Sequence, residues 1–479
     1  MFNSSFDAAI PAICVTLAGL VVMLAESFRG KDERMPLGGL AIIGLVGAGV
    51  ACVLLWGRNT SSFGVLAADN YALFVNLVLV AVGILTVVFS SQTLERDHIP
   101  AGEFYALMLF SIVGMMLMAQ ATDLLLLFLA LETMSIAVYV LTGIRRDQLQ
   151  STEGAFKYFL LGAFASSFFL YGIAFTYGVA GSTSLDRIGS VIAAQSMSGN
   201  PMILLAVGLL IVGFGFKVAA VPFHMWSPDA YEGAPAVVTG FMSTGVKAAA
   251  VAAFARVFLS ALEPMVASWS PVLWLVAAAT MILGTVLGVA QTSLKRMLAY
   301  SSIAHGGYLL VGLVAANDVG KAAILYYLAA YALTNLAAFG VIALLGSRDR
   351  ANDDLRDYAG LWYTHPALAT LMTICLLSLG GFPPTAGFIA KWYIFTAAVG
   401  AGHYGLAIIG VLSSVVSVFF YLRIVVMMYM SERDARPVPP PLTTVGLAGL
   451  AVSVAGILYL GILPSRVLDW AQASVSTIF

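Results

Sequence analysis

The sequence predicts an all-α integral membrane protein of about fourteen transmembrane helices, with two inverted five-helix repeats and broken seventh and twelfth helices. Three observations predict it. Of 479 residues, 61% are hydrophobic and only 10% charged, far outside the range of a soluble globular domain. Apolar runs near the roughly 20 residues of a spanning helix follow one another along the whole chain. The chain also falls into weak register with itself at an offset of about 168 to 170 residues, as repeat-built transporters do.

The runs start near residues 8, 36, 70, 101, 122, 154, 201, 235, 270, 298, 320, 363, 403 and 443. The first follows a short acidic leader, lacks a basic n-region and leads straight into further spans, so it reads as a retained helix. Spans 1 to 3 form an N-terminal group over 1–100 of a single transmembrane domain, 1–479. Spans 4 to 8 (101–260) form the first repeat, spans 9 to 13 (270–431) the second, and span 14 lies in 443–479. In register, Leu129, Ala130, Tyr139, Leu141 and Gly143 fall on Leu298, Ala299, Tyr308, Leu310 and Gly312, and Gly213 and Phe214 on Gly381 and Phe382. Because five is odd, the second copy must enter the bilayer from the opposite side.

Span 7 carries Pro222, which cannot donate to the carbonyl of Val218, and LGGFPPTAG in span 12 frees the carbonyls of Leu379 and Gly380. Free backbone at membrane depth is tolerated only inside protein or beside a wet cavity. The polar stretches 182–200, 347–362 and 431–442 are too short for a separate domain, and Pro437, Pro439, Pro440 and Pro441 mark the last as an extended connector.

The formal net charge is −1, but the basic residues are unevenly placed. Loops after the odd-numbered spans hold Arg29, Lys31, Arg34, Arg96, Arg145, Arg146, Lys295, Arg296, Arg348, Arg350, Arg356, Arg433 and Arg436; the opposite loops hold only Arg58, Arg187, Lys321 and Arg466. By the positive-inside rule both termini face outward. Lys157, Arg256 and Arg423, near span ends, read as interfacial or subunit contacts. Cys14, Cys52 and Cys375 are far apart in apolar runs, which fits neither a disulfide framework nor a metal site. No dinucleotide fingerprint, phosphate-binding loop or metal-spaced histidine pair is present, so redox or nucleotide chemistry is expected in other chains.

Four ionisable residues lie deep in apolar runs: Glu132, Lys217, Lys247 and Lys391. Each such charge costs about 2.5 to 3.5 kcal/mol even on lenient insertion scales, so residues of this kind usually line a polar route. A Glu132 and Lys217 pair that opens and closes could tune the lysine: at about 4 Å and an effective dielectric near 20 it is worth on the order of 4 kcal/mol. Moving a proton against about 200 mV takes roughly 4.6 kcal/mol, a similar amount. A static buried ion pair is the structural alternative for these two, and snorkelling is the alternative for Lys247 and Lys391. His224, seven residues after Lys217, and His305, one turn beyond Ser301 and Ser302, are further candidates; either could instead be a packed core group. Lys391 aligns with Phe223 and not with Lys217, and Ser301 or Ser302 and Ser417 stand near the places of Glu132 and Lys247, so the symmetry is approximate.

VPFHMWSPDAYEGAPAVVTGFMSTGVKAAA (221–250) resembles the signature of the subunit N family of proton-translocating NADH:quinone oxidoreductase, respiratory complex I. FLALETMSIAVYVLTG, EGAFKYFLLGAFASS, LKRMLAYSSIAHGGY and GGFPPTAGFIAKWYIF resemble it in the expected order, so the likeness covers nearly the whole chain. The broader proton-translocating antiporter family shares PFH-x-W and the buried lysines.

The resemblance implies Glu132 and Lys217 as a modulating pair, Lys247 as the connecting relay and Lys391 as the distal lysine, with His224 and His305 lining the path. It implies a proton-pumping subunit without its own redox cofactor or metal, with NAD, FMN, iron-sulfur clusters and quinone in partner subunits. Expected partners are the other antiporter-like and small membrane subunits of complex I, the quinone-reducing module indirectly, and the lipid bilayer, with no nucleic acid. The expected location is an energy-transducing membrane, the bacterial inner membrane. A cation/proton antiporter subunit without electron transfer, and an assembly subunit with merely structural charges, are the competing readings.

Overall fold

The structure is a computed structural model and describes residues 6–28, 35–195, 199–346, 353–431 and 443–478. Arg29, Lys31, Arg34, Arg348, Arg350, Arg433, Arg436 and Pro437, Pro439, Pro440 and Pro441 lie outside the described residues.

In chain order the helices are α1 (Ile10–Phe28), α2 (Leu37–Leu55), α3 (Asn70–Arg96), α4 (Ala101–Gln120), α5 (Leu124–Thr142), α6 (Leu149–Ala180), α7 (Leu185–Ala194), α8 (Pro201–Lys217), α9 (Trp226–Gly233), α10 (Ala236–Phe241), α11 (Lys247–Arg256), α12 (Val266–Val289), α13 (Leu294–Ala315) and α14 (Asp318–Leu345). Then follow α15 (Leu361–Thr364), α16 (Pro366–Gly380), α17 (Ala386–Gly400), α18 (Tyr404–Met430), α19 (Thr444–Ile462) and α20 (Ser465–Val475). Among the described residues, twelve helical stretches are long and apolar enough to cross a membrane. Two further crossings are interrupted, α8 with α9 around 218–225 and α16 with α17 around 381–385, which makes fourteen.

Helices dominate because a bilayer offers no partner for free backbone groups. Their starts are set by short polar side chains: Asp69, Asp123, Asn200, Ser293, Asn317 and Thr443 each accept from a backbone N–H in the first turn. The stretch Ala236–Ala261 is wholly buried, and α13 and α14 nearly so, whereas α1 and α2 turn most of their surface outward. The core of the molecule is therefore the middle of spans 8, 10 and 11.

Contacts recur at a fixed offset of 170 residues. Gly114 of α4 abuts the Met134 nitrogen and the Ala130 carbonyl of α5; Gly284 of α12 abuts the Ala304 nitrogen and the Tyr300 carbonyl of α13. A Cβ at either glycine would sit 2.5 or 2.7 Å from that nitrogen. Likewise Asp123 pairs with Ser184 and Ser293 with Asp354 in isolated antiparallel bridges. Five crossings separate the two bridges, so they lie at opposite faces.

Three elements escaped the reading of apolar runs. A hairpin joins β1 (Thr60–Ser62) to β2 (Leu66–Ala68), with Thr60 opposite Ala68. The amphipathic helices α7, inside the polar stretch 182–200, and α20, after the last crossing, are only 10 and 11 residues long and apolar on one face.

Candidate functional site

The break in span 7 ends α8 at Lys217, where the helix C-terminus favours a cation. The buried ammonium donates to Ser135 Oγ at 2.7 Å and Tyr139 Oη at 3.1 Å, and lies 5.1 and 5.6 Å from the ring centres of Tyr139 and Tyr158. Glu132, one turn before Ser135 on α5, accepts instead from Ser166 Oγ of α6 at 2.5 Å. The two charges share a helix face through Ser135 but are not in contact. Each is held by hydroxyls of its own.

Tyr158 stacks on Trp226 of α9 with ring centres 4.0 Å apart, and the Trp226 indole donates to the carbonyl of Phe216 in the last turn of α8, which also accepts from the Ala219 nitrogen. The same short helix carries Tyr231, whose hydroxyl lies 3.4 Å from Ser302 Oγ of α13. Ser302 in turn holds Lys247, which donates to its Oγ at 2.6 Å and to its carbonyl. Lys247 follows directly on a π-helical turn, Met242–Val246. Such bulges re-aim side chains and are frequent at functional sites.

Beyond Lys247 the route is aromatic. Its ammonium is 5.5 Å from the centre of Tyr331, whose ring lies 5.1 Å from that of His305. His305 Nδ1 is 2.5 Å from Tyr327 Oη and Nε2 is 3.4 Å from Tyr421 Oη, which pairs with Ser301 Oγ at 2.5 Å. Tyr308 adjoins His305 edge to face and lies 5.1 Å from Lys391 Nζ. Lys391 donates to the carbonyls of Leu379 and Gly380 at 2.9 and 3.1 Å and to Ser414 Oγ at 2.8 Å. The backbone freed by the Pro-Pro break therefore receives the distal lysine.

The structure thus joins Lys217, Lys247, His305 and Lys391 along one buried axis, with the half-buried Glu132 one turn from Ser135 beside its near end. His224 lies in the span 7 break: it is half-buried beside the exposed Met225, and its buried Nδ1 has no protein partner. Ser301 and Ser302 are visible in the sequence beside His305, but the tyrosines and Ser135, Ser166 and Ser414 are not, because a tyrosine or serine in an apolar run reads as packing. One signal existed. Tyr139 and Tyr308 align in the internal repeat, and each lies 5.1 Å from a lysine ammonium.

The three cations assigned to interfaces have partners within the chain. Arg256 forms a buried ion pair with Asp69 at 2.9 Å, Lys157 bonds Asp229 at 2.8 Å, and Arg423 donates to the carbonyl of Gln291 at 2.6 Å. Arg296 also reaches Asp229 and Glu232, at 2.8 and 2.9 Å, so α9 is tied at its far end to a surface ion network. In the neighbouring loop, burial raises the pKa of Asp353 against the pull of Lys295, 3.1 Å away, and burial lowers that of Arg145. Among the described residues no cluster of His, Cys, Asp and Glu could hold a metal ion.

Residues 121–417, which contain Glu132, Lys217, Lys247, His305 and Lys391, match the family model described as NADH:quinone oxidoreductase/Mrp antiporter, TM. The chain is 46% identical over 479 residues to NADH-quinone oxidoreductase subunit N of Trichlorobacter lovleyi, covering 99% of this chain and 98% of that one. It is 42% identical to subunit N of Chloroflexus aggregans, over 97% and 96%. A chain of respiratory complex I from Thermus thermophilus superposes with a TM-score of 0.81 at 34% identity, over 96% of this chain and 98% of that one. A chain of the Mrp complex from Dietzia sp. shares the fold with a TM-score of 0.85 at 21% identity, over 100% and 98%. From the matched segment and these relatives, the chain belongs to the NADH:quinone oxidoreductase/Mrp antiporter transmembrane family, on the side of the subunits named N.

Proposed function

We propose that the chain is a proton-translocating membrane subunit of NADH:quinone oxidoreductase, which couples quinone reduction elsewhere in the complex to proton movement along the buried axis. The observation that carries this reading is the run of hydroxyls and rings that links Lys217, Lys247, His305 and Lys391, with Glu132 one turn from Ser135, in a chain 46% identical to a subunit N. Lys217 is the gated group. In the present arrangement Glu132 is turned to Ser166, so only neutral hydroxyls and rings hold the ammonium.

If Glu132 swings to Lys217, the pair gains on the order of 4 kcal/mol at about 4 Å. Each partner then gives up a charge-assisted hydrogen bond worth about 1.5 to 3 kcal/mol. The two arrangements are therefore close in energy, as a switch needs. Lys247 passes the proton between halves through Ser302, and a cavity of the size of about one water, lined by His305, Tyr327, Tyr331, Thr334 and Ser378, adjoins the Lys391 end. His224 lines the entry at the span 7 break. Lys391 controls passage to the outer face, where both termini lie.

NAD, FMN, iron-sulfur clusters and quinone belong to partner subunits in this reading, and the segments 101–260 and 270–431 act as two inverted half-channels. A cation/proton antiporter without electron transfer would share the fold, but the subunit N relatives favour the redox-linked reading. Lys217→Ala in the assembled complex tests it: normal assembly with loss of NADH-driven proton uptake is expected. Normal assembly with undiminished uptake would sink the relay.

A further inference from the structure

A crevice of about 490 Å3 opens on the lateral surface where α2, α3, α14 and α20 meet. Its size falls within the range of about 300 to 1,000 Å3 typical of ligand sites. Its wall is made of aliphatic side chains, Phe74 and two tryptophans, Trp56 and Trp470, with no hydroxyl or charge. Such a wall rejects water and any polar ligand.

The shape suggests what fits. Along α3 the lining runs from Phe74 near the helix start to Leu85 in mid-helix, a rise of roughly 16 Å. That is about half of the roughly 30 Å hydrocarbon core, the depth of one leaflet. The mouth carries the two tryptophans, the residue type that settles at headgroup level. Charge lies close to it in the chain. Arg58, two residues beyond Trp56, and Arg466, next to the lining residue Val467, are both exposed. Neither lines the crevice, but each stands within two residues of a lining side chain, and they are two of only four basic residues in the loops of that face. Asp469 is the acid on the same turn of α20.

The geometry points to a specific site for an anionic phospholipid, with one acyl chain lying in the crevice against Ala81 and Ala329 and the phosphate held at Arg58 and Arg466. A lipid so placed fastens the N-terminal helices α2 and α3 to α14 and the terminal helix α20, which packs on both α3 and α14.

The test reconstitutes the intact complex in phosphatidylcholine vesicles doped with a phosphatidylglycerol that carries a diazirine in its acyl chain, and maps photolabelled peptides by mass spectrometry. Label is expected on α3 between Phe74 and Leu85 and on α14 from Ala329 to Leu333. Ala81→Trp, which fills the crevice, should abolish it. The double variant Arg58→Gln and Arg466→Gln leaves the apolar wall intact and should lower the labelling roughly fivefold for each arginine, the value of one basic residue near an anionic surface. Equal labelling by the same diazirine on phosphatidylcholine would overturn the site as ordinary annular lipid. Labelled α3 and α14 peptides missing while those helices cross-link to a neighbouring subunit would overturn it in favour of a protein occupant. Neither readout depends on proton transport, so the lipid site and the relay can fail separately.

Discussion

Tyr139 and Tyr308 give the buried lysines a common setting that their own positions in the repeat do not share. Lys391 is out of register with Lys217, yet each ammonium lies 5.1 Å from the matched tyrosine ring and donates to a serine, Ser135 or Ser414. Environment is repeated where the lysine is not. Removing the Tyr139 hydroxyl takes from Lys217 one of its two hydrogen bonds, worth about 1.5 to 3 kcal/mol to a charged group. Tyr139→Phe is therefore expected to slow NADH-driven proton uptake by roughly ten- to a hundredfold with assembly intact, measured in inverted membrane vesicles. Rates within twofold of the parent would show that the hydroxyl has no part in the relay. Glu132 was legible in the sequence as a lone carboxylate in an apolar run. That it bonds Ser166 was not, because the partner is on another helix.

At the scale of elements, the short helix α9 and the glycine contacts position the axis. Eight residues carry Trp226 against Tyr158, Tyr231 against Ser302, and Asp229 and Glu232 in the surface ion network. A shift of that network can thus reach both Lys217 and Lys247. Gly114 and Gly284 let α4 and α12 lie on the backbones of α5 and α13, the helices that bear Glu132 and His305. A methyl group at either position must push the helices apart, and overpacking typically costs about 1 to 3 kcal/mol. Gly114→Ala and Gly284→Ala should lower the yield of assembled complex alike, read by native gel electrophoresis. A loss at one position only would argue against equivalent roles. The broken spans were legible from Pro222 and the Pro383–Pro384 pair. The π-helical turn before Lys247 was not, since Met242–Val246 has no residue that demands it.

In the molecule as a whole, the wholly buried span 8 is anchored far from the axis by Arg256, which pairs with Asp69 at the start of α3 and donates to the carbonyl of Ala119 at the end of α4. Breaking such a pair leaves a buried charge and costs about 3 to 5 kcal/mol, whereas replacing both partners is often nearly neutral. Arg256→Met alone should sharply reduce the thermal stability of the complex. Adding Asp69→Asn, which keeps an acceptor for the Ala72 nitrogen, should restore most of it. A double variant no better than the single would mean that the arginine acts through Ala119 and not through the ion pair.

The sequence by itself determined the membrane class, the fourteen crossings, the two breaks and the charges that must be accommodated, since hydropathy, proline chemistry and the energy of buried charge act locally along the chain. It also exposed the repeat, though only as scattered matches. Tertiary structure alone decided that Lys391 is received by the carbonyls of Leu379 and Gly380, that Lys247 rests on Ser302, and that the Nδ1 of His224 finds no protein partner. The reason is physical: a buried ammonium takes whichever oxygens the packing of other helices brings within about 3 Å, and no local property of the chain records which oxygens those are.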